Sequence, residues 1–506
     1  MITFRSGSLE KCVPSSWCPG TCPLTWLGMT QIHHLPAHRL VAMVHSRELS
    51  PTEIAEHCLD RIERYDHLFG AYITVTPEKV LEQARYAQKR VMSDTPDALP
   101  PLLGLPVPVK DLDPVAGVRI THGSTVFRDA VSPIDSDMVA RLRAAGAVIP
   151  GKTNTPEFGS SCYTENAVAP PSRNPWNTDL SPGGSSGGAA AAVAAGLAPV
   201  AQGSDGGGSI RIPASACGLF GLKPTRGRIS GAPKPDLVGL STAGPLTRDV
   251  RDAALLLNVM SGPGPGDHFA APPLPPGETF TDHVDREPGR LRIGCYATTG
   301  SAGIPVHPDV LSAHEETVRL LTDLGHEVEE VPTPGDAHFG GSFMEDFQVL
   351  WEAMASATPV DPEREAELSP LNQWLRERAR ATPVPAHIAA CARLQRGVRS
   401  LVAATEPFDA VLSPTLAAPP VPVGHFTGGG PEEEFARMTA FTPFTSVHNV
   451  SGQPSVSVPL HWSREGLPIG AMLTGRVGGE GTLLSLSAQL ERARPWAHRV
   501  PPRWNG

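Results

Sequence analysis

Two glycine-rich turns in this sequence each deliver serines. The first is Ser181-Pro182-Gly183-Gly184-Ser185-Ser186-Gly187-Gly188, and the second is Asp205-Gly206-Gly207-Gly208-Ser209-Ile210-Arg211. Glycine leaves backbone N–H groups unshielded, and consecutive exposed N–H groups form an anion-binding nest. Beside a serine, such a nest has the right parts to hold the oxyanion of a tetrahedral intermediate. A serine hydroxyl is a weak nucleophile until a base takes its proton. Neither turn contains histidine, the usual base. A lysine serves if burial keeps it neutral, and Lys110 closes the apolar run Val107-Pro108-Val109. Most lysines at strand ends reach solvent instead, so position alone leaves both roles open to it.

The elements around these turns alternate. Apolar residues recur at helical spacing from Leu35 to Tyr65, with Ser50-Pro51-Thr52-Glu53 reading as a capped helix start. A strand over Ala71–Val75 and a helix through Met92 follow. Leu105–Val109 reads as a buried strand, Asp135–Ala145 as a helix, Ala147–Ile149 as a strand and Gly188–Ala198 as a buried helix. Leu291–Tyr296, His307–Leu324 and His326–Val331 form a βαβ unit. This alternation predicts a wound α/β architecture. Residues 262–289 and 415–431 are rich in Pro and Gly and read as excursions, with no internal repeat anywhere.

Composition sets outer limits. The 506 residues carry a net charge of −10, with 50 Gly and 54 Pro. No basic stripe suggests nucleic acid, and no apolar run is long enough to span a bilayer. Of eight cysteines, Cys58, Cys162, Cys217, Cys295 and Cys391 stand singly and read as reduced thiols. Cys18 and Cys22 have metal-like spacing but no second ligand pair, so no metal and no cofactor is expected. The first 28 residues lack the basic start and apolar core of a signal peptide. They read as a disordered extension or the product of a misassigned start, with one domain over 29–506.

In several blocks the sequence resembles the amidase signature family. They are Gly104-Leu105-Pro106-Val107-Pro108-Val109-Lys110-Asp111, Gly151-Lys152-Thr153-Asn154-Thr155-Pro156-Glu157-Phe158-Gly159, both glycine turns, Cys217 to Thr225, and Gly244-Pro245-Leu246-Thr247-Arg248. Together they span about 104–250, the expected catalytic core, in the family's order. The resemblance implies an amidase signature fold, a large mixed central β-sheet covered by helices on both faces. It implies that Lys110 is a neutral base, Ser185 a relay preceded by a cis peptide, and Ser209 the nucleophile. Gly206, Gly207, Gly208 and Ser209 would supply oxyanion N–H donors, Ser186 would support the relay, and Asp205 and Arg211 would pair to shape the turn. Gly206 stands where the family often carries a larger residue, which implies a looser hole or a wider pocket. Thr442 to Thr445, with Asn449 to Pro459, is similar to enzymes acting on aminohexanoate amides. The implied partner is a small-molecule amide met by a cytoplasmic enzyme, with a homodimer common among such enzymes.

Other readings compete with this one. An amidase subunit of a glutamine-dependent tRNA amidotransferase shares the blocks, although Pro156-Glu157-Phe158 looks more like the free-standing enzymes. A non-catalytic binding protein could use the same fold. Gly146 to Thr153 satisfies the phosphate-loop pattern without its strand-then-helix context. Gly183 to Gly187 satisfies the nucleophile-elbow pattern, with His448 as an imaginable partner. Cys162 and Tyr163 could line the substrate pocket or belong to the core, and residues 275–440 are expected to supply pocket walls.

Overall fold

The capped start at Ser50 forms as the sequence requires. In the computed structural model, which describes residues 31–234, 238–300 and 303–504, the Ser50 side chain accepts from Glu53 N and the Glu53 carboxylate accepts from Ser50 N. Together they satisfy two donors that the helix Pro51–Phe69 would otherwise leave open. The preceding helix, Ala37–His45, begins after a proline that cannot cap it. Asp252 serves from a distant helix, accepting from Ala37 N at 2.6 Å and His38 N at 2.8 Å. The expected extension over 1–28, with Cys12, Cys18 and Cys22, lies outside the described residues. The five other cysteines are free.

Eleven strands among the described residues form two sheets. The small one holds β1 (Tyr72–Val75), β2 (Val109–Lys110) and β3 (Gly151–Thr153) in the order β1-β3-β2. The large one holds β4 (Val200–Asp205), β5 (Phe220–Lys223), β6 (Thr242–Thr247), β7 (Arg292–Cys295), β8 (Glu327–Glu330), β9 (Ala410–Pro414), β10 (Ser455–Trp462) and β11 (Pro468–Gly475). Its order is β4-β6-β5-β10-β11-β9-β7-β8. It is mixed: β9-β7-β8 pair in parallel around the expected βαβ unit, and the remaining pairs are antiparallel.

Two expected strands are shorter or displaced. Leu105–Val109 contributes only Val109 to regular pairing, because Pro106 and Pro108 have no N–H to give a ladder. Pro106 makes a single bridge to Val148. The strand expected over Ala147–Ile149 begins at Gly151. Both lie in the small sheet, so the chain is less regularly wound than strand–helix alternation alone predicts.

Side-chain alternation along β10 and β11 gives the large sheet two faces. Val456, Val458, Leu460, Ala471 and Leu473 join the main core with the helices Val250–Met260 and Glu480–Ala493. On the opposite face Met472 meets Arg211, and Gly470 N donates to Ser215 at 2.9 Å. That face carries the helix Arg211–Cys217 and both glycine turns. No helix among the described residues is long and apolar enough to cross a membrane.

Candidate active site

Lys110 is the last residue of β2, and its backbone N donates to Gln202 of β4 at 2.9 Å. That bond, with Gln202 N donating to Pro108 O at 3.1 Å, fastens the small sheet to the large one. The Lys110 side chain is fully buried, and its Nζ donates to Ser185 Oγ at 2.7 Å. Burial lowers its pKa from 10.5 to about 7. Asp113 and Asp205 pull it upward and Lys234 pushes it down, but desolvation is the largest cause. Near neutrality this amine is therefore partly unprotonated.

Ser185 follows a cis peptide bond with Gly184 and stands just before the helix Gly187–Ala194. That helix is buried on all sides, which small residues permit. A Cβ on Gly188 would lie 2.5 Å from Ala71 O and 2.6 Å from Asn154 O, so only glycine admits this approach. Ser186 Oγ donates to Ser204 O at 3.0 Å and accepts from Ser204 N at 3.2 Å, tying the first turn to β4. Lys110 Nζ reaches the same carbonyl at 3.4 Å.

The second turn leaves the end of β4 and enters the helix Arg211–Cys217. Asp205 and Arg211 are both fully buried and meet through two bonds, Nε to Oδ2 and Nη2 to Oδ1, each 2.9 Å. Burial alone would raise the Asp205 pKa, but Arg211 holds it well below the usual carboxylate range. Asp205 Oδ1 also accepts from Gly208 N at 2.7 Å. Gly208 therefore departs from the expected set of oxyanion donors, since its N–H is already committed. The N–H groups of Gly206, Gly207 and Ser209 have no acceptor among the described residues. Ser209 is 5% exposed and lines the cavity that Ser185, Ser204 and Gly206 also line. The arrangement can activate a hydroxyl through a neutral amine and receive a developing oxyanion beside it.

Several contributors had no local sequence signal. Asn449 Nδ2 donates to Asp205 O and Oδ1 at 2.9 and 2.8 Å, while its Oδ1 accepts from Arg211 at 2.7 Å. Thr445 Oγ1 donates to Gly207 O at 2.6 Å. Both lie more than 230 positions from their partners, so no local pattern could have linked them. Cys162 lines a second cavity at Ser209. Tyr163 turns away, stacking on Phe426 and donating to the buried Glu434. The walls come from the helices Phe343–Ser356 and Pro431–Phe441, within the stretch expected to supply them.

Two competing motifs lose their context. Lys152 of the phosphate-loop match is buried in an ion pair with Asp111 at 3.2 Å, and its strand is followed by a three-residue 3₁₀ turn (Glu157–Gly159), not an α-helix. His448, the imagined elbow partner, is buried, and its pKa is pushed far down by desolvation and by Arg211 and Lys223. Ser185 has Lys110 as its partner instead.

The Amidase family model matches residues 53–484. The chain belongs to the amidase family. A Mycobacterium tuberculosis protein named AmiB2 is 40% identical over 461 residues, 90% of this chain and 95% of that protein. A solved 6-aminohexanoate cyclic dimer hydrolase, bound to substrate, is 31% identical over 94% of this chain and 100% of its own, with a TM-score of 0.85. A bacterial aryl acylamidase of the amidase signature enzymes is 28% identical over 92% and 97%, with a TM-score of 0.82. The amidase thus has the fold that its sequence blocks imply, a large mixed sheet with many helices. As an enzyme of this family it hydrolyses amide bonds of small molecules.

Proposed function

We propose that this amidase cleaves its substrate through an acyl-enzyme on Ser209, with Ser185 and Lys110 as the relay. The observation carrying this reading is the 2.7 Å separation of the buried Lys110 Nζ from Ser185 Oγ, close enough for a neutral amine to accept the Ser185 proton, with Ser185 in the cavity that Ser209 lines. Neutral Lys110 takes the Ser185 proton as Ser185 takes that of Ser209. Ser209 Oγ then attacks the carbonyl carbon, and the carbonyl electrons move onto oxygen. The N–H groups of Gly206, Gly207 and Ser209 receive that oxyanion, each contributing about 3 kcal/mol to the transition state.

Collapse reforms the carbonyl and breaks the C–N bond. The departing nitrogen takes a proton from Ser185, which is resupplied by Lys110. Water then attacks the acyl-enzyme, gives its proton to the same relay, and releases the carboxylic acid with Ser209 restored. Ser186 and the Asp205–Arg211 pair position the turns without touching the reacting atoms.

A glutamine-fed amidotransferase subunit fits the site less well. The acyl half of glutamine carries an ammonium and a carboxylate, and no charged side chain lines either cavity at Ser209 among the described residues.

Ser209→Ala tests the mechanism. Turnover of an amide panel should fall by at least about a thousandfold, and the acyl-enzyme mass seen in the parent should vanish, while circular dichroism stays unchanged. Undiminished hydrolysis in purified Ser209→Ala would remove the assignment.

A further inference from the structure

The space around Ser209 is divided in two. Ser160, Ser209 and Trp351 line both cavities. Trp351 covers the nest: a Cβ on Gly206 would lie 3.4 Å from its ring, and one on Gly207 would lie 3.5 Å away. The ring therefore occupies the space that a larger residue at Gly206 would need. Its Nε1 donates to Ser160 O at 3.1 Å, and Phe347 stacks on it at 5.5 Å and 26°. The indole is thus a fixed partition, and the glycine does not simply widen the pocket.

The two sides differ in chemistry. One sets the hydroxyls of Ser185, Ser204 and Ser241 among the apolar side chains of Leu112, Phe158, Met354 and Ala355. The other presents a mostly apolar surface, from Cys162, Ile212, Phe347, Phe435 and Met438, with Ser161, Thr442, Ser446 and the half-buried Thr439 also in its lining and no charged side chain among the described residues. Proton delivery orients the substrate. The departing nitrogen needs a proton from Ser185, so the amine half belongs on the serine side. The remaining substituent of the carbonyl carbon must then point to the other side.

We propose that the apolar cavity is the acyl pocket, that it takes an uncharged aliphatic or aromatic acyl group, and that Trp351 is the specificity-determining wall between acyl and amine halves. This rests on the Ser209–Ser185–Lys110 reading above. Apolar walls favour each buried methylene by about fourfold in kcat/KM. An ionic acyl terminus would be desolvated there without an oppositely charged partner, which opposes binding strongly.

The test is a para-nitroanilide series with acetyl, butyryl, hexanoyl and 6-aminohexanoyl groups. In the parent, kcat/KM should rise about fourfold per methylene, and the 6-aminohexanoyl compound should fall at least about a hundredfold below hexanoyl. Trp351→Ala should flatten the methylene dependence by merging the two sides. Thr439→Glu, at a half-buried position that tolerates a carboxylate, should narrow the hexanoyl to 6-aminohexanoyl gap about threefold by giving the ammonium a charged partner. This second variant carries the test if Trp351→Ala does not fold.

Equal hydrolysis of hexanoyl and 6-aminohexanoyl anilides by the parent would overturn the assignment. So would a kcat/KM that does not change along the acyl series. Retained turnover in Ser209→Ala would strike the nucleophile instead, a separate result.

Discussion

The acidic limb of the pH–rate profile reports directly on Lys110. With its pKa lowered by burial to about 7, the amine is about one-tenth neutral at pH 6 and about nine-tenths neutral at pH 8. The kcat/KM for a neutral amide should therefore rise roughly tenfold between those values. A lysine left at its ordinary value of 10.5 would be only about 0.3% neutral at pH 8, with activity still climbing tenfold per unit. Two neighbours allow the limb to be moved in opposite directions. Asp113 raises the Lys110 pKa and Lys234 lowers it, and the two pair with each other at 3.2 Å. Asp113→Asn removes the anion and frees Lys234, so the limb should move to lower pH. Lys234→Met removes the cation and frees Asp113, so it should move to higher pH. Each shift is on the order of one unit, since a nearby charge at an intermediate dielectric contributes about 1–2 kcal/mol. Initial rates in constant-ionic-strength buffers from pH 5.5 to 9.5, with enzyme integrity checked at each pH, give the measurement. A flat profile, or limbs moving the same way in both variants, would refute Lys110 as the base.

The same shift appears in stability. Because the folded pKa lies below the unfolded one, the cost of burying Lys110 is complete below about pH 7 and fades as pH rises toward 10.5. Denaturant midpoints should therefore show the advantage of Lys110→Met over the parent shrinking through that window, by up to about 5 kcal/mol. Asn449→Ala removes the amide that bridges Asp205 and Arg211, and should cost about 3 kcal/mol in denaturant unfolding. It should also lower kcat more than it raises KM, because the nest donors lose their fixed aim. Gly188→Ala must displace backbone at Ala71 and Asn154, so a loss of about 3 kcal/mol in the same assay is expected.

The sequence carried the chemistry where it is local. Consecutive glycines beside Ser185 and Ser209 announce turns with open N–H groups, and the blocks around them fix the family. The capping box at Ser50, the βαβ unit over 291–331 and the helix after Gly187 follow from periodicity and caps, which are short-range effects. What lay out of reach is whatever depends on desolvation or on residues meeting across the fold. Nothing in Val109-Lys110 says that the lysine loses all contact with water; the closing of β2 against Gln202 of β4 decides that, and with it the proton affinity of the amine. Gly208 looks identical to its neighbours as a letter, yet only the position of the Asp205 carboxylate takes its N–H out of the nest. Asn449, Thr445 and Trp351 enter through long-range packing, and the pocket is shaped by such contacts. Local spacing encodes the reactive groups, whereas their environment is a property of the folded chain.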